Sequence, residues 1–246
     1  RPCPVGIPAA RRAAPYAAFC LLNSDVDVVD PRWLQTLKRH AFSDPTIGVV
    51  GPLSNAASYQ SVPELRVQTG KESEDWSKNE LPPGPADDPW TPRGVATAVA
   101  RGSRRRLVDV PVLNGFCLFV KAEVVEAVGL MDEVAFPHGF GEENDFALRA
   151  LAAGYSLKVA DDVYVWHHKS KSYGDATRQA LSAGSAEAMR ERWGSMLRHA
   201  VGFLETNQEL AEARRRVGAS LTGSACGPGR LRVLFVLNPQ KEHREH

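Results

Sequence analysis

Apolar positions along the chain fall into short runs punctuated by proline, glycine and charge. Residues 1–15 are rich in Pro, Ala and Arg and carry no period, whereas Tyr16 to Leu22 form an apolar run suited to a buried strand. Asp30-Pro31 then supplies a helix N-cap and a proline at the first helical position, and Trp33, Leu34 and Leu37 recur at helical spacing. Ile47 to Val50, bounded by Asp44-Pro45 and Gly51-Pro52, reads as the next strand. Strand, helix, strand is the rhythm of an α/β fold on a mostly parallel sheet with flanking helices.

From Leu53 to Asp109 the chain turns to Pro, Gly, Ser and charge, and its weak periodicity predicts a long excursion over the sheet edge. The basic cluster Arg101 and Arg104 to Arg106 lies in it and reads as a solvated loop face. Order returns with an apolar strand in Val110 to Val120, a short helix over Ala122 to Val128 stopped by Gly129, and a helix over Glu142 to Ala153 stopped by Gly154. Phe146, Ala147, Ala150 and Leu151 share one face of that last helix. Ser156 to Trp166 is a further strand, and Asp175 to Val217 is mostly helical, with Met189, Trp193, Met196 and Leu197 on one stripe. Residues 218–229 read as a Gly/Ser/Ala linker and 230–246 as the opening strand of a following domain. The expected organisation is therefore an irregular segment (1–15), one α/β domain (16–174), a helical extension (175–217), a linker and a further strand.

At 246 residues, with 43% apolar and 24% charged residues, the chain can bury a large core. A formal net charge of +1 creates no global field to draw in nucleic acid, so no nucleic-acid partner is expected. The four cysteines, Cys3, Cys20, Cys117 and Cys226, lie far apart with no C-x-x-C spacing, which argues for reduced thiols rather than a zinc knuckle or a disulfide framework. No apolar stretch reaches the roughly 18 residues that span a bilayer, and the first residues lack the apolar core of a signal peptide. The expected compartment is the cytoplasm. The chain opens on Arg1 rather than methionine, as a processed or partial product would.

Candidate chemistry gathers at two places. Asp25 ends the first apolar run, where open α/β sheets put ligands beyond the carboxyl ends of their strands, with Asn23 just before it. Glu142, Glu143 and Asp145 crowd the first turn of a helix, whose positive dipole end favours carboxylates. They follow an aromatic and glycine-rich approach, Phe136-Pro137-His138-Gly139-Phe140-Gly141, which lets a ligand come close to the backbone. His167 and His168 end the alternating strand Val163 to Trp166, so their imidazoles point to opposite faces and one of them can face a site. Imidazole beside carboxylate suits manganese or another first-row cation, while magnesium leans on oxygen ligands and phosphate. Lys169 opens a polar loop able to close over a diphosphate.

Taken in order, the segments LLNSDVDV, LNGFCLFVK, VGLMDE with FPHGFGEENDFALRALAAGY, and VYVWHHKSKSYG resemble the inverting family-2 glycosyltransferases of the GT-A fold. The likeness is strongest to those of bacterial surface-polysaccharide and rhamnan-type assembly, and it covers residues 16 to 175 or so. It implies a Rossmann-type GT-A sheet and a divalent cation, manganese or magnesium. The implied donor is a nucleotide-diphosphate sugar, and the acceptor a saccharide or lipid-linked saccharide that could bring the protein to the inner face of the membrane. Residue by residue, it implies that Asp25 ligates the cation bridging the donor diphosphate, with Asn23 where an acidic residue often stands. It makes His167 the late metal ligand and Glu143, in place of the commoner aspartate, the general base, with Glu142 beside it and Asp145 orienting the loop. In that family a strand-helix-strand half that binds the nucleotide precedes such segments, and nothing before Tyr16 resembles it. The chain is thus expected to be the later half of a catalytic domain. The alternative is a truncated, non-catalytic saccharide-binding or interaction module.

Overall fold

Alternation along each strand decides which face of the sheet its side chains cover. In the computed structural model, which describes residues 16–65, 88–137, 141–168 and 175–223 (side chains of 175–183 excepted), β5 (Cys117–Lys121) shows this most plainly. Cys117 and Phe119 turn to one side, where Leu37 and Ala41 of α1 (Trp33–Ala41) pack over them with Val50 and Val163. Leu118 and Val120 turn to the other, beneath Val99 of α2 (Pro92–Gly102), Val124 of α3 (Ala122–Val128), Phe146 of α4 (Glu142–Ala152) and Leu210 of α6 (Gln208–Leu221). The result is three layers, helix, sheet and helix, as the α/β rhythm predicts.

The main sheet runs in the order β1 (Ala18–Leu22), β5, β3 (Ile47–Leu53), β6 (Ser156–Tyr164), β4 (Leu107–Val110). β5 is antiparallel to β1 and to β3, β3 and β6 are parallel, and β4 is antiparallel to β6. β1, β3 and β6 therefore point the same way, but β5 is inserted within the first strand-helix-strand unit and only one neighbouring pair is parallel. Burial explains the order. All positions of β3 and β5 are buried and demand a neighbour on each side, whereas β1 is only half-buried and suits an edge. A small ribbon, β2 (Val26–Asp27) paired with β7 (Trp166–His167), stands beyond the strand ends.

The long excursion expected from Leu53 to Asp109 is overturned in its second part. Thr91 caps α2 by accepting the Gly94 amide at 3.1 Å, with Pro92 in the first turn, and β4 follows before residue 110. Val95, Ala98, Val99 and Gly102 form its buried face at helical spacing. The basic cluster is anchored rather than merely solvated. The amides of Arg104 and Arg106 donate to the buried Asp161 carboxylate, and their guanidinium groups face Glu212 and Glu209 on α6. The first helix begins at Trp33 rather than Pro31, because the Asp30 carboxylate binds the Arg32 amide in a turn ahead of it. The helical stretch breaks at Thr206–Asn207, where Asn207 caps α6 after α5 (Asp175–Glu205) ends. No helix among the described residues is long and apolar enough to cross a membrane. The expected segments 1–15 and 230–246 lie outside the described residues.

Candidate functional site

β1 delivers Asn23 and Asp25 to the end of the sheet. The Asn23 amide donates to the Phe116 carbonyl at 2.9 Å, which holds the loop leaving β1 against the segment entering β5. The next residues pair with β7: Val26 lies opposite His167, and the His168 amide donates to the Asp25 carbonyl at 2.8 Å. Two segments far apart in sequence are thus laid side by side by backbone bonds alone.

The two histidines diverge. His168 meets Asp27 at 3.1 Å on an exposed face, and His167 turns inward, with its Nε2 3.4 Å from Asp25 Oδ2. His167 is cradled from three sides. Its amide donates to Asn55 Oδ1 at 2.8 Å and its carbonyl accepts from Asn55 Nδ2 at 2.9 Å, while its ring Nδ1 lies 2.8 Å from the Ala56 carbonyl. Phe116 stacks on the ring, 5.4 Å between centroids. A carbonyl only accepts, so Nδ1 carries the proton, and in the neutral imidazole Nε2 presents a lone pair to the Asp25 carboxylate. Two acceptors face to face call for a shared proton or a cation between them. The separation is close to that of neighbouring ligand atoms on one first-row cation, whose bonds are about 2.1 Å long. A backbone acceptor fixing the far nitrogen is the usual support of a metal-binding imidazole. Among the described residues no cluster of three or more His, Cys, Asp or Glu side chains forms. Asp25 and His167 could therefore supply two ligands to a divalent cation, and the rest would have to come from elsewhere.

Glu143 approaches from the other side of the same segment. A Cβ on Gly115 would lie 3.3 Å from Glu143 Cβ and 3.4 Å from Cγ, so a glycine there lets the head of α4 sit against the strand entry. Phe116, one residue on, touches His167; residues 115 and 116 thus connect the carboxylate at α4 with the Asp25–His167 pair. Glu143 and Asn144 line a pocket of about 110 Å³ with Tyr59, Gln60 and Asn114. Burial, reinforced by repulsion from the neighbouring Glu142 carboxylate, pushes the Glu143 carboxyl up to about 7. Glu142 accepts from the Gly141 amide at 3.0 Å. Gly141 itself has φ +148° and stands 3.1 Å from Phe136 and Met189 at its would-be Cβ, so neither the turn nor the space admits a side chain.

Asp145, expected beside Glu142 and Glu143 as the residue that orients the loop, is engaged by partners within the protein. It is fully buried, and its oxygens accept from Arg149 Nε at 2.8 Å, Trp193 Nε1 at 2.9 Å and Arg192 Nη1 at 3.2 Å. Arg192 continues to Asp132 at 2.7 Å, and Arg149 binds the Val128 and Leu130 carbonyls. No oxygen is left for a substrate. Asp145 fixes the first turn of α4, and with it Glu143, to α5 and to the preceding loop. Lys169 lies outside the described residues, as do His138 to Phe140.

No protein-family model matches the chain, and no curated protein matches it. Among solved structures it is similar to the mannosyltransferase PcManGT from Pyrobaculum calidifontis, in complex with GDP-Man and Mn2+. The identity is 16% and the TM-score 0.46, over 91% of this chain and 54% of that one, so the chain spans about half the length of that structure.

Sequence reasoning missed Asn55 and Ala56. Their only signal is a polar pair, Ser54-Asn55, ending the fully apolar β3 in the same way that Asn23-Ser24-Asp25 ends β1. It also missed Arg149, Arg192 and Trp193 as the partners of Asp145, which are ordinary helix residues by pattern.

Proposed function

We propose that the chain is the catalytic part of an inverting glycosyltransferase that moves a sugar from a nucleotide-diphosphate donor to a saccharide acceptor. The observation that carries this reading is the joint placement of Asp25 opposite His167 and of Glu143, its carboxyl raised to about 7, on two sides of residues 115–116. Glu143, poised near neutrality, takes the proton from the acceptor hydroxyl. The acceptor oxygen then attacks the anomeric carbon from the face opposite the diphosphate, whose bond to that carbon breaks, so configuration inverts. Asp25 and His167 would hold manganese or magnesium, which supplies positive charge for the departing diphosphate. Lys169 is proposed to close on the same phosphates.

The motif order supports family-2 membership, a deoxythymidine-diphosphate rhamnose or uridine-diphosphate sugar donor, and a place in bacterial surface-polysaccharide synthesis. We assign the reaction to the cytoplasmic side of the membrane, with association through a lipid-linked acceptor. Residues 16–174 would be the transferase domain and the helices beyond them an extension.

Thermal unfolding with uridine, thymidine and guanosine diphosphates, each with and without manganese, tests the donor site. Ligand at a hundred times its dissociation constant adds about 2.7 kcal/mol. The expected outcome is a manganese-dependent shift for one nucleotide that disappears in Asp25→Ala. A well-folded chain that shifts with none of them supports the saccharide-binding module instead.

A further inference from the structure

Cys20 and Cys117 are far apart in the chain and adjacent in the sheet. β1 and β5 pair with Cys20 opposite Phe119 and Leu22 opposite Cys117, so the two cysteines are diagonal neighbours on one face of an antiparallel ladder. Both side chains belong to the same apolar cluster beneath α1. Both are free, but they are not alike: Cys20 is half-exposed on the edge strand and Cys117 is buried. The neighbouring Cys117 thiol holds the Cys20 thiol below the usual range, while the Cys20 sulfur and burial push Cys117 well up. One sulfur is thus the accessible nucleophile, and the other is a protonated thiol held against it.

We propose that Cys20 and Cys117 form a peroxide-sensitive dithiol, in which Cys20 is the attacking sulfur and Cys117 the resolving one. The Cys20 thiolate attacks one oxygen of hydrogen peroxide, the O–O bond breaks, and hydroxide leaves, giving Cys20 sulfenic acid. Cys117 sulfur then attacks the Cys20 sulfur, its proton passes to the departing hydroxide, and water leaves as the S–S bond closes. Two thiols are oxidised and one peroxide is reduced to two waters. Diagonal positions need a small approach of the strands to reach disulfide geometry. β1 can supply it, because β5 is its only ladder partner among the described residues. The bridge would pin the edge strand three residues before Asn23, and the pair does not depend on the proposed transfer chemistry.

The test uses the full chain carrying Cys3→Ser and Cys226→Ser, treated with equimolar peroxide, alkylated and digested for mass spectrometry. The expected product is a single intramolecular link between the Cys20 and Cys117 peptides, with the loss of two hydrogens, reversed by dithiothreitol. In Cys117→Ser the Cys20 sulfenic acid should persist and be captured by dimedone. Should that variant fail to fold, Cys20→Ser at the edge position serves instead, and there the oxidation of Cys117 should slow by at least about tenfold. Both cysteines remaining alkylatable, a link formed only between chains, or Cys20 passing to sulfinic acid without a link overturns the proposal.

Discussion

At the scale of single residues, charge and hydrogen bonding make sharp demands. Glu143 holds its proton to about 7 in the folded protein against a usual 4.5, so between those values the folded state binds more protons than the unfolded one. Stability therefore falls as pH rises through that window and is level above it, by up to about 3 kcal/mol. Glu143→Gln, which never ionises, should melt higher than the parent at pH 8 and alike at pH 4.5 in calorimetry, while losing sugar transfer. In the parent, kcat/KM should fall about tenfold per pH unit below 7; a flat profile there would remove Glu143 as the base. Asn55 is the second demanding position, because both of its amide atoms serve the His167 backbone. Asn55→Ala leaves a buried N–H and C=O unpaired, at a cost of about 1–3 kcal/mol. It should also weaken manganese binding by roughly 10- to 100-fold, read by calorimetric titration. Unchanged manganese affinity would separate His167 from any metal. Of these residues the sequence exposed the acids and histidines, which are rare at strand and helix ends, and hid Asn55, which is one asparagine among many turn residues.

At the scale of elements, α4 is the part whose position matters most to the site, and it is held at its first turn. Asp145 joins Arg149 within the helix to Arg192 and Trp193 of α5. Asp145→Ala strands a partly buried guanidinium and an indole N–H, and should destabilise by about 3–5 kcal/mol in urea unfolding, lowering activity with it. A loss below about 1 kcal/mol would mean that apolar packing alone seats the helix. The boundaries of α3 and α4 were legible in advance because glycines stop both: Gly129 at φ +79° and Gly154 at φ +90° adopt the backbone that other residues resist. α2 was not read in advance although Val95, Ala98, Val99 and Gly102 keep helical spacing, because it is a short helix set in a stretch otherwise rich in Pro, Gly, Ser and charge. Thr91-Pro92 at its start is a cap and first-turn pair like the Asp30-Pro31 that overshot the start of α1.

At the scale of the whole molecule, the sheet order sets a gradient of stability. β3 is buried throughout and paired on both sides, whereas β1 is half-buried with one partner among the described residues. Amide exchange should be slowest at Val49 and Val50 and at least about tenfold faster at Cys20 and Leu21. Equal protection across the sheet would show that β1 opens only with the global unfolding of the molecule.

The sequence by itself determined the local facts: which segments are strands or helices, where most of them stop, and which acids and imidazoles stand at element ends. Periodicity and chain stereochemistry act over a few residues, and those signals are complete within a short window. Only the tertiary structure decided that β5 lies between β1 and β3, that His167 rather than His168 faces Asp25, that Asp145 is tied to α5, and that Cys20 lies diagonal to Cys117 in the sheet. Each of these depends on pairing across long stretches of chain. The choice there belongs to burial of whole faces and to satisfaction of backbone groups by distant residues, and no local pattern encodes it.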